Sequence, residues 1–581
     1  MAETDTAAAL TVTWADRLQA RLAGPMRRRL PRGTDPVRPL TGNAAAAQAL
    51  LAGQVRFAGV RVESAGGVWA PVAPTPGFEA ERQGFGWLDD LAALGTASAR
   101  GAAQDWTRSW MTRFGHGHGP GWTLVLAARR LTRLLDHAAL LVAGPRGLSP
   151  GRVERAFARH QRFALRRFGA LPDGPLGIET AARLLVAGVA LQDRDGLVAK
   201  AQAALERLCP LVVDPMGGVA DRAPETLAEV FADLAFAAAA LTGAGDTPGP
   251  GHRAALARAA PVLRALRHAD GHLARFHGGG AGDPATIDAA LAAAGLRPAP
   301  PTLLPMGYAR MLRGRVSVIA DGAAPAPVVA SGRGGHGSTL AFELTAGNRP
   351  LIVSCGPGQG LGPDWSAAAR APAAHATLTL ADPGAQPDTD AAVAVEFHPD
   401  RPVAHLEASH AAPGAPGLLH LRRLDLSLDG GELRGEDALI AVSEAAQRRQ
   451  VVARVTLGRA QARPGSATPF AIRFHLHPSV EAELDAALGE VRLVLPIGEG
   501  WTFRHASACT IALDPSVYLE NTRAEPAATR QIVLSGLALH QATPVRWSLT
   551  RDATAPAFLR EVPRLVGAAG DDPMTAERDP T

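Results

Sequence analysis

The sequence predicts a multidomain α and β chain, with an N-terminal α/α toroid (an incomplete helical barrel) followed by a C-terminal antiparallel β-sandwich. Three observations predict it. The 581 residues exceed what one core holds, because single cores stop growing at about 250–300 residues. From Gly86 to His277 apolar residues recur at helical spacing, with Ala and Leu dominant. After Gly278–Pro305, which carries GGGAG and RPAPPTLLP, the period changes to two. The chain divides accordingly into 1–84, an extension leading into the toroid, 85–300, the toroid, and 301–581, the sandwich.

Within the helical half, the stretch Trp122–Ala143 sets Leu124, Ala128, Leu131, Leu135 and Ala138 on one face, and Arg129, Arg130, Arg133 and Asp136 on the other. Further helices are expected at Val153–Phe168, Ile178–Val189, Leu197–Leu208, Pro224–Leu241 and Arg253–Arg267, separated by breaks containing Gly or Pro. Antiparallel pairs of such helices close into a toroid.

In the second half Val316, Val318 and Ala320 alternate, as do Thr377 and Thr379, and Leu424, Leu426 and Leu428 lead into the turn Asp429-Gly430-Gly431. The clearest strand is FAIRFHLHP. Phe470, Ile472, Phe474 and Leu476 point one way, and Arg473, His475 and His477 form an exposed polar face. Several such strands at short spacing predict the sandwich.

Hydrophobic residues make up 47% and charged residues 20%, the composition of a folded globular chain. A sequence pI of 9.4 accompanies a formal net charge of only +4, which gives nucleic-acid binding little support. Apart from Lys200 the basic residues are Arg, in a chain equally rich in Ala, Gly and Pro, a pattern of coding bias. Cys209, Cys355 and Cys509 form no CxxC and read as buried thiols rather than a zinc knuckle or disulfide framework. No run of 18 apolar residues predicts a membrane span. The N-terminus shows no basic region before an apolar core, so as written it reads as cytoplasmic. Neither GxSxG nor GxxxxGK[ST] occurs, which removes support for serine-hydrolase and P-loop chemistry.

In order along the chain stand RFAGVRV (56–62), FGWLDDLAALG (85–95), LAARRLTRLLDH (126–137) and LRHADGHLARFHGG (266–279). GGHGSTLAFELTAGNRPLIVSCG (334–356), DWSAAARAPAAHATLTL (364–380), RFHLHPSV and GEGWTFRHA follow. Together these segments resemble the heparinase II/III family, whose members join an α/α toroid to an antiparallel sandwich and cleave acidic polysaccharides by β-elimination. The resemblance covers nearly the whole chain. It implies an acidic, uronate-containing polysaccharide as partner, a cleft between the two halves as the site, and a place in the cell envelope or periplasm.

Elimination from a uronate needs a group to neutralise the carboxylate, a base for the α-proton and an acid for the leaving oxygen. Relatives use an Asn or an acid of the toroid for the first, and Tyr and His for the protons. Here Tyr308 and Tyr518 both lie beyond the helical half, and Asn43, Asn348 and Asn521 lie outside the helical core. In MGGVADRAP, Val219 stands where related sequences carry His; Arg222 nearby is the candidate for the substrate carboxylate, or caps a helix or pairs with Glu225. His336 and His375 fall in segments where relatives carry a proton-shuttling His and metal-binding His residues. Both are therefore candidates for proton transfer and for a zinc or calcium site in the sandwich, although Ser354 replaces the expected acidic ligand. His410, in EASHAAPGAPGLLHLRRL, is the third catalytic candidate, with Ala411, Ala412 and Pro413 where relatives carry Asp-Gly-Tyr.

His475 with His477, and His116 with His118 in GHGHGPGW, are weaker metal pairs; an exposed strand face and a loop are the competing assignments. The expected activity is β-elimination. The alternatives are a non-catalytic glycan-binding or envelope-assembly protein on the same fold, and a hydrolase using paired carboxylates.

Overall fold

The structure is a computed structural model, and it describes residues 9–24, 42–296, 304–329, 333–380, 392–412, 417–448, 468–520, 525–538 and 541–552. Helices begin where the sequence offers a cap. Thr13, Thr75, Thr96 and Thr123 each accept a backbone N–H on the side-chain oxygen. Pro150, Pro224, Pro250 and Pro284 open helices where the missing N–H is not needed. The expected helical segments appear as Pro150–Arg167, Gly174–Ala190, Ala199–Val212, Pro224–Gly243 and Pro250–Ala265. The stretch Trp122–Ala143 divides at His137 into Leu124–Asp136 and Ala138–Val142.

Gly174–Ala190 packs against Leu124–Asp136, Ala199–Val212 and Pro224–Gly243. A Cβ at Gly188 would come within 2.9 Å of Leu197 and Val198, so glycine sets how closely those segments approach. Pro224–Gly243 is long and apolar enough, by length and composition, to cross a membrane, but its Leu227, Phe231, Leu234 and Leu241 are packed inside the helical core.

Arg130, which periodicity sets opposite the apolar face, is enclosed. It is fully buried, its guanidinium lies 4.3 Å from the Trp110 ring, and it donates to Gln83 O, Gly121 O and His160 Nε2, each at 2.9 Å. Helical periodicity sorts residues by face and carries no information about aromatic walls that accept a cation.

Among the described residues the sandwich has one eight-stranded antiparallel sheet and two four-stranded ones. Across the large sheet run Glu481–Asp485, Glu490–Val494, Gly500–His505, Ala542–Arg551, Glu432–Ala441, Leu418–Leu426, Ala404–Ala411 and Val393–His398. One small sheet orders Thr510–Tyr518, Ala527–Ala538, Thr468–His475 and Leu378–Leu380; the other runs Tyr308–Arg313, Val316–Asp321, Phe342–Ala346 and Arg349–Ile352. A bridge between Ile352 and Leu476 joins these two, and all three sheets share one apolar core. Trp547 lies at its centre, with Phe474 and Phe342 rings 4.8 and 5.7 Å away.

The strand Val316–Asp321 is buried on both faces. Val316, Val318 and Ala320 enter the sandwich core, whereas Ile319, with Tyr308 and Ala341, joins the helical core. This sheet is therefore the wall between the two halves. Leu424 and Leu426 are buried, and Leu428 is exposed in the turn. His475 is likewise not part of an exposed face: it is buried, with Ser516 Oγ at 2.7 Å and Ala373 O at 2.9 Å. The segment before Leu378–Leu380 covers that side of the strand.

Candidate functional site

A chain of buried polar groups crosses the wall between helices and sheet. From the helical side come Arg222, in the loop before Pro224–Gly243, and His277, in the segment between the helices Pro250–Ala265 and Pro284–Ala294. From the sheet side comes Asp321, at the end of its strand. The Arg222 guanidinium donates to Asp321 Oδ1, to Met306 O at 2.8 Å and to Ala324 O at 2.6 Å. Asp321 Oδ2 accepts from Ser338 Oγ at 2.7 Å and lies 3.1 Å from His277 Nε2. Arg222 and His277 both hold left-handed backbone, φ 55° and 52°. Such conformations cost on the order of 1 kcal/mol each in a non-glycine residue and persist where surroundings over-determine them.

Arg222 therefore neither caps a helix nor pairs with Glu225, whose carboxylate is held by Arg333 at 2.8 Å. Its charge is matched by Asp321. Burial raises the Asp321 pKa, but the adjacent Arg222 charge and the His277 contact outweigh it and hold the carboxyl well below the usual range.

His336 and His375 come together: His336 Nδ1 is 3.4 Å from His375 Nε2, and the His336 ring centroid is 6.3 Å from that of His277. His375 Nδ1 faces Ser354 Oγ at 3.2 Å, and the Ser354 N–H donates to Glu343 Oε1 at 2.8 Å. Glu343 Oε2 also accepts from the backbone of Arg275, a second link to the helical half. His336 and His375 are 2% and 1% exposed. Burial first, then neighbouring histidines, pushes both pKa values down, His375 to about 3. His410 belongs to another place: it is paired in register with His420, ring centroids 5.5 Å apart, and burial lowers it to about 3.

Two imidazole nitrogens and a serine hydroxyl do not complete a zinc site, which takes four N, S or O ligands, nor the oxygen shell of calcium. Among the described residues no group of three or more His, Cys, Asp or Glu is placed to hold a metal ion. His116 and His118 lie in an exposed loop.

Tyr308 is enclosed, its hydroxyl donating to Arg222 O at 2.6 Å, and burial pushes its pKa well above the free value. Tyr518 is also buried, its ring centroid 3.9 Å from the Arg275 guanidinium carbon.

The open groove is elsewhere. A cavity of about 1090 Å³ is lined by the helices Leu124–Asp136, Gly174–Ala190 and Pro224–Gly243, with Val329 and Arg333 of the sandwich half at its rim. Neither Arg222 nor His336, His375 or His410 is in its lining. His277, Asp321 and Glu343 were not singled out in the sequence, although His277 stands in LRHADGHLARFHGG and Asp321 closes an alternating run. Their contacts across the wall span 44 or more positions, which no local pattern encodes.

A family model described as heparinase II/III-like, C-terminal, matches residues 296–548. FtsZ-localized protein C of Caulobacter vibrioides (strain NA1000 / CB15N) is 30% identical over 551 residues, covering 90% of this chain and 89% of that protein. The chain belongs to the heparinase II/III family. Among solved structures, heparinase III superposes with a TM-score of 0.62 at 11% identity, over 92% of this chain and 89% of its own. A mutant of heparan sulfate lyase HepC from Pedobacter heparinus gives 0.54 at 14%, over 92% and 87%. This heparinase II/III family member thus has the polysaccharide-lyase fold, with helices first and antiparallel sheets after.

Proposed function

We propose that this chain is a non-eliminating, glycan-binding member of the heparinase II/III family that works with FtsZ at the division site. The observation that carries the reading is the state of the seam. His336 and His375 are enclosed and neutral there, His410 is enclosed and neutral beside His420 within the sandwich, and Arg222 is matched by Asp321. A general base must reach the proton it removes and have a pKa near the working pH. A group that neutralises a substrate carboxylate must have charge to spare. The likeness to FtsZ-localized protein C along 90% of the chain supports the division-site association.

The test has two arms. A fluorescent fusion in the native host is expected to gather in the FtsZ ring, and purified chain to sediment with FtsZ polymers; diffuse fluorescence with no co-sedimentation would overturn the association. Incubated with heparan sulfate, alginate, hyaluronan or chondroitin, the chain is expected to yield no unsaturated uronate. The shared fold with heparinase III favours the second reading, β-elimination of an acidic polysaccharide. Product absorbance that His336→Ala or His375→Ala abolishes would establish it instead.

A further inference from the structure

We propose that the open groove of the helical half takes an uncharged oligosaccharide, in preference to the acidic chains that family resemblance implies. The inference rests on the glycan-binding reading and names the ligand class.

A polyanion site needs cations in excess, because a buried charge without a partner is strongly disfavoured. Five arginines line this groove against six carboxylates. Each of the arginines is already engaged by an acid of the protein. Arg129 grips Glu179 with two bonds of 2.8 and 2.6 Å, and Arg183 adds a third to the same carboxylate at 2.8 Å. Arg133 is held by Asp89 and Arg167 by Asp16, both at 2.6 Å, and Arg333 by Glu225 and Glu229. Burial raises the Glu179 pKa, but Arg129 and Arg183 outweigh it and keep the carboxyl ionised, so the pairing holds across the neutral range. A substrate carboxylate or sulfate would find these charges already matched and would add a negative charge to a lining in which carboxylates outnumber guanidiniums.

Sugar hydroxyls make no such demand. A guanidinium carries five N–H donors and a carboxylate about four lone-pair positions, so a paired Arg–Glu still offers donors and acceptors side by side. A hydroxyl, which donates and accepts, satisfies both without altering the charge balance. Between these pairs Leu124, Leu171 and Phe236 supply apolar surface for the C–H faces of a sugar ring. The volume of about 1090 Å³ is at the upper end for small-ligand sites and suits several sugar rings.

Calorimetry on the full chain tests the assignment with four probes: chitohexaose and cellohexaose as neutral ligands, and unsulfated heparosan and hyaluronan hexasaccharides as acidic ones. Wild-type chain is expected to bind a neutral probe about tenfold or more tighter than either acidic one, with affinity changing less than about twofold between low and high salt. Glu179→Gln frees two guanidiniums and is expected to strengthen binding of the acidic probes about tenfold, with a steep salt dependence, while thermal unfolding reports that the variant is folded. Tighter binding of an acidic probe by wild-type chain would overturn this ligand class and leave the glycan-binding reading standing. Binding of none of the four would overturn both.

Discussion

Arg222 and Asp321 form an ion pair across the wall between the helices and the sheet, with the Asp321 side chain wholly buried and the Arg222 backbone in left-handed conformation. The pair ties 99 positions of chain together. Removing one member leaves the other charge enclosed, which costs about 3–5 kcal/mol. Asp321→Ala is therefore expected to lower the stability by that amount in urea unfolding, and a loss below about 1 kcal/mol would show that the pair does not brace the wall.

The buried imidazoles make stability depend on pH in a defined direction. His375 and His410 have pKa values of about 3, and His336 is also far below its free value, each chiefly through burial. The unfolded chain takes up protons below about pH 6.5, while the folded chain resists until about pH 3, so stability falls throughout that window. Asp321 and Asp437 have depressed pKa values, so their contribution is present above about pH 3.9 and is lost as pH falls further. The melting temperature is expected to be level between about pH 7 and 8, to decline below about 6.5 and to drop more steeply below about 4, with a separate decline above about 8.5 as the unfolded chain releases the protons that buried Cys209, Cys355 and Tyr308 retain. In a folded His375→Gln variant the middle decline shrinks; an unchanged profile would exclude His375 as a contributor.

Gly435 pairs with Trp547 in register, and a Cβ there would lie 2.0 Å from the indole. The ring cannot withdraw, because Phe342, Phe474 and Phe503 surround it. Gly435→Ala is expected to cost about 1–3 kcal/mol through overpacking. Circular dichroism melting of the variant reads this directly, and a wild-type melting curve would refute it.

Arg130→Leu keeps most of the volume between Trp110 and Trp122 but leaves Gln83 O and Gly121 O without the donor they use. Two unmet buried carbonyls cost about 2–6 kcal/mol together. The expected result is a destabilised chain with tryptophan fluorescence altered in the native state; an unchanged denaturation midpoint would show that the cation is dispensable.

Thiol labelling separates the three cysteines. Burial pushes Cys209 up to about 12 and Cys355 up to about 11, while Cys509 is partly exposed. The thiolate is the reactive form, so native chain is expected to label only at Cys509, and slowly, with the other two reacting after denaturation. Rapid native labelling at Cys355 would contradict its enclosure.

Much of the helical half was legible because Ala and Leu recur at three and four between breaks that contain Gly or Pro, whereas the capping threonines at the helix starts emerged only with the structure. Strand alternation exposed Leu424 and Leu426 in the same way. The failures share one cause. Arg130, His475 and Arg222 are polar residues whose surroundings come from segments distant in sequence, so periodicity assigns them a face but not a neighbour. The seam histidines were found by resemblance, and their enclosure became visible only when Asp321, Ser354 and Glu343 were placed around them. The groove's charge balance was invisible for the same reason: Arg129 and Glu179 are 50 positions apart.

The strand carrying Val318 and Ile319 gives alternate side chains to two different cores. A chain truncated after its helices would open Leu273 and Phe276 to water, and a fragment beginning at the strands would do the same to Tyr308 and Ile319. Neither fragment is a natural unit of expression. Heating is expected to melt helices and strands in one cooperative transition, so damage on either side of the partition is felt as loss of the entire fold.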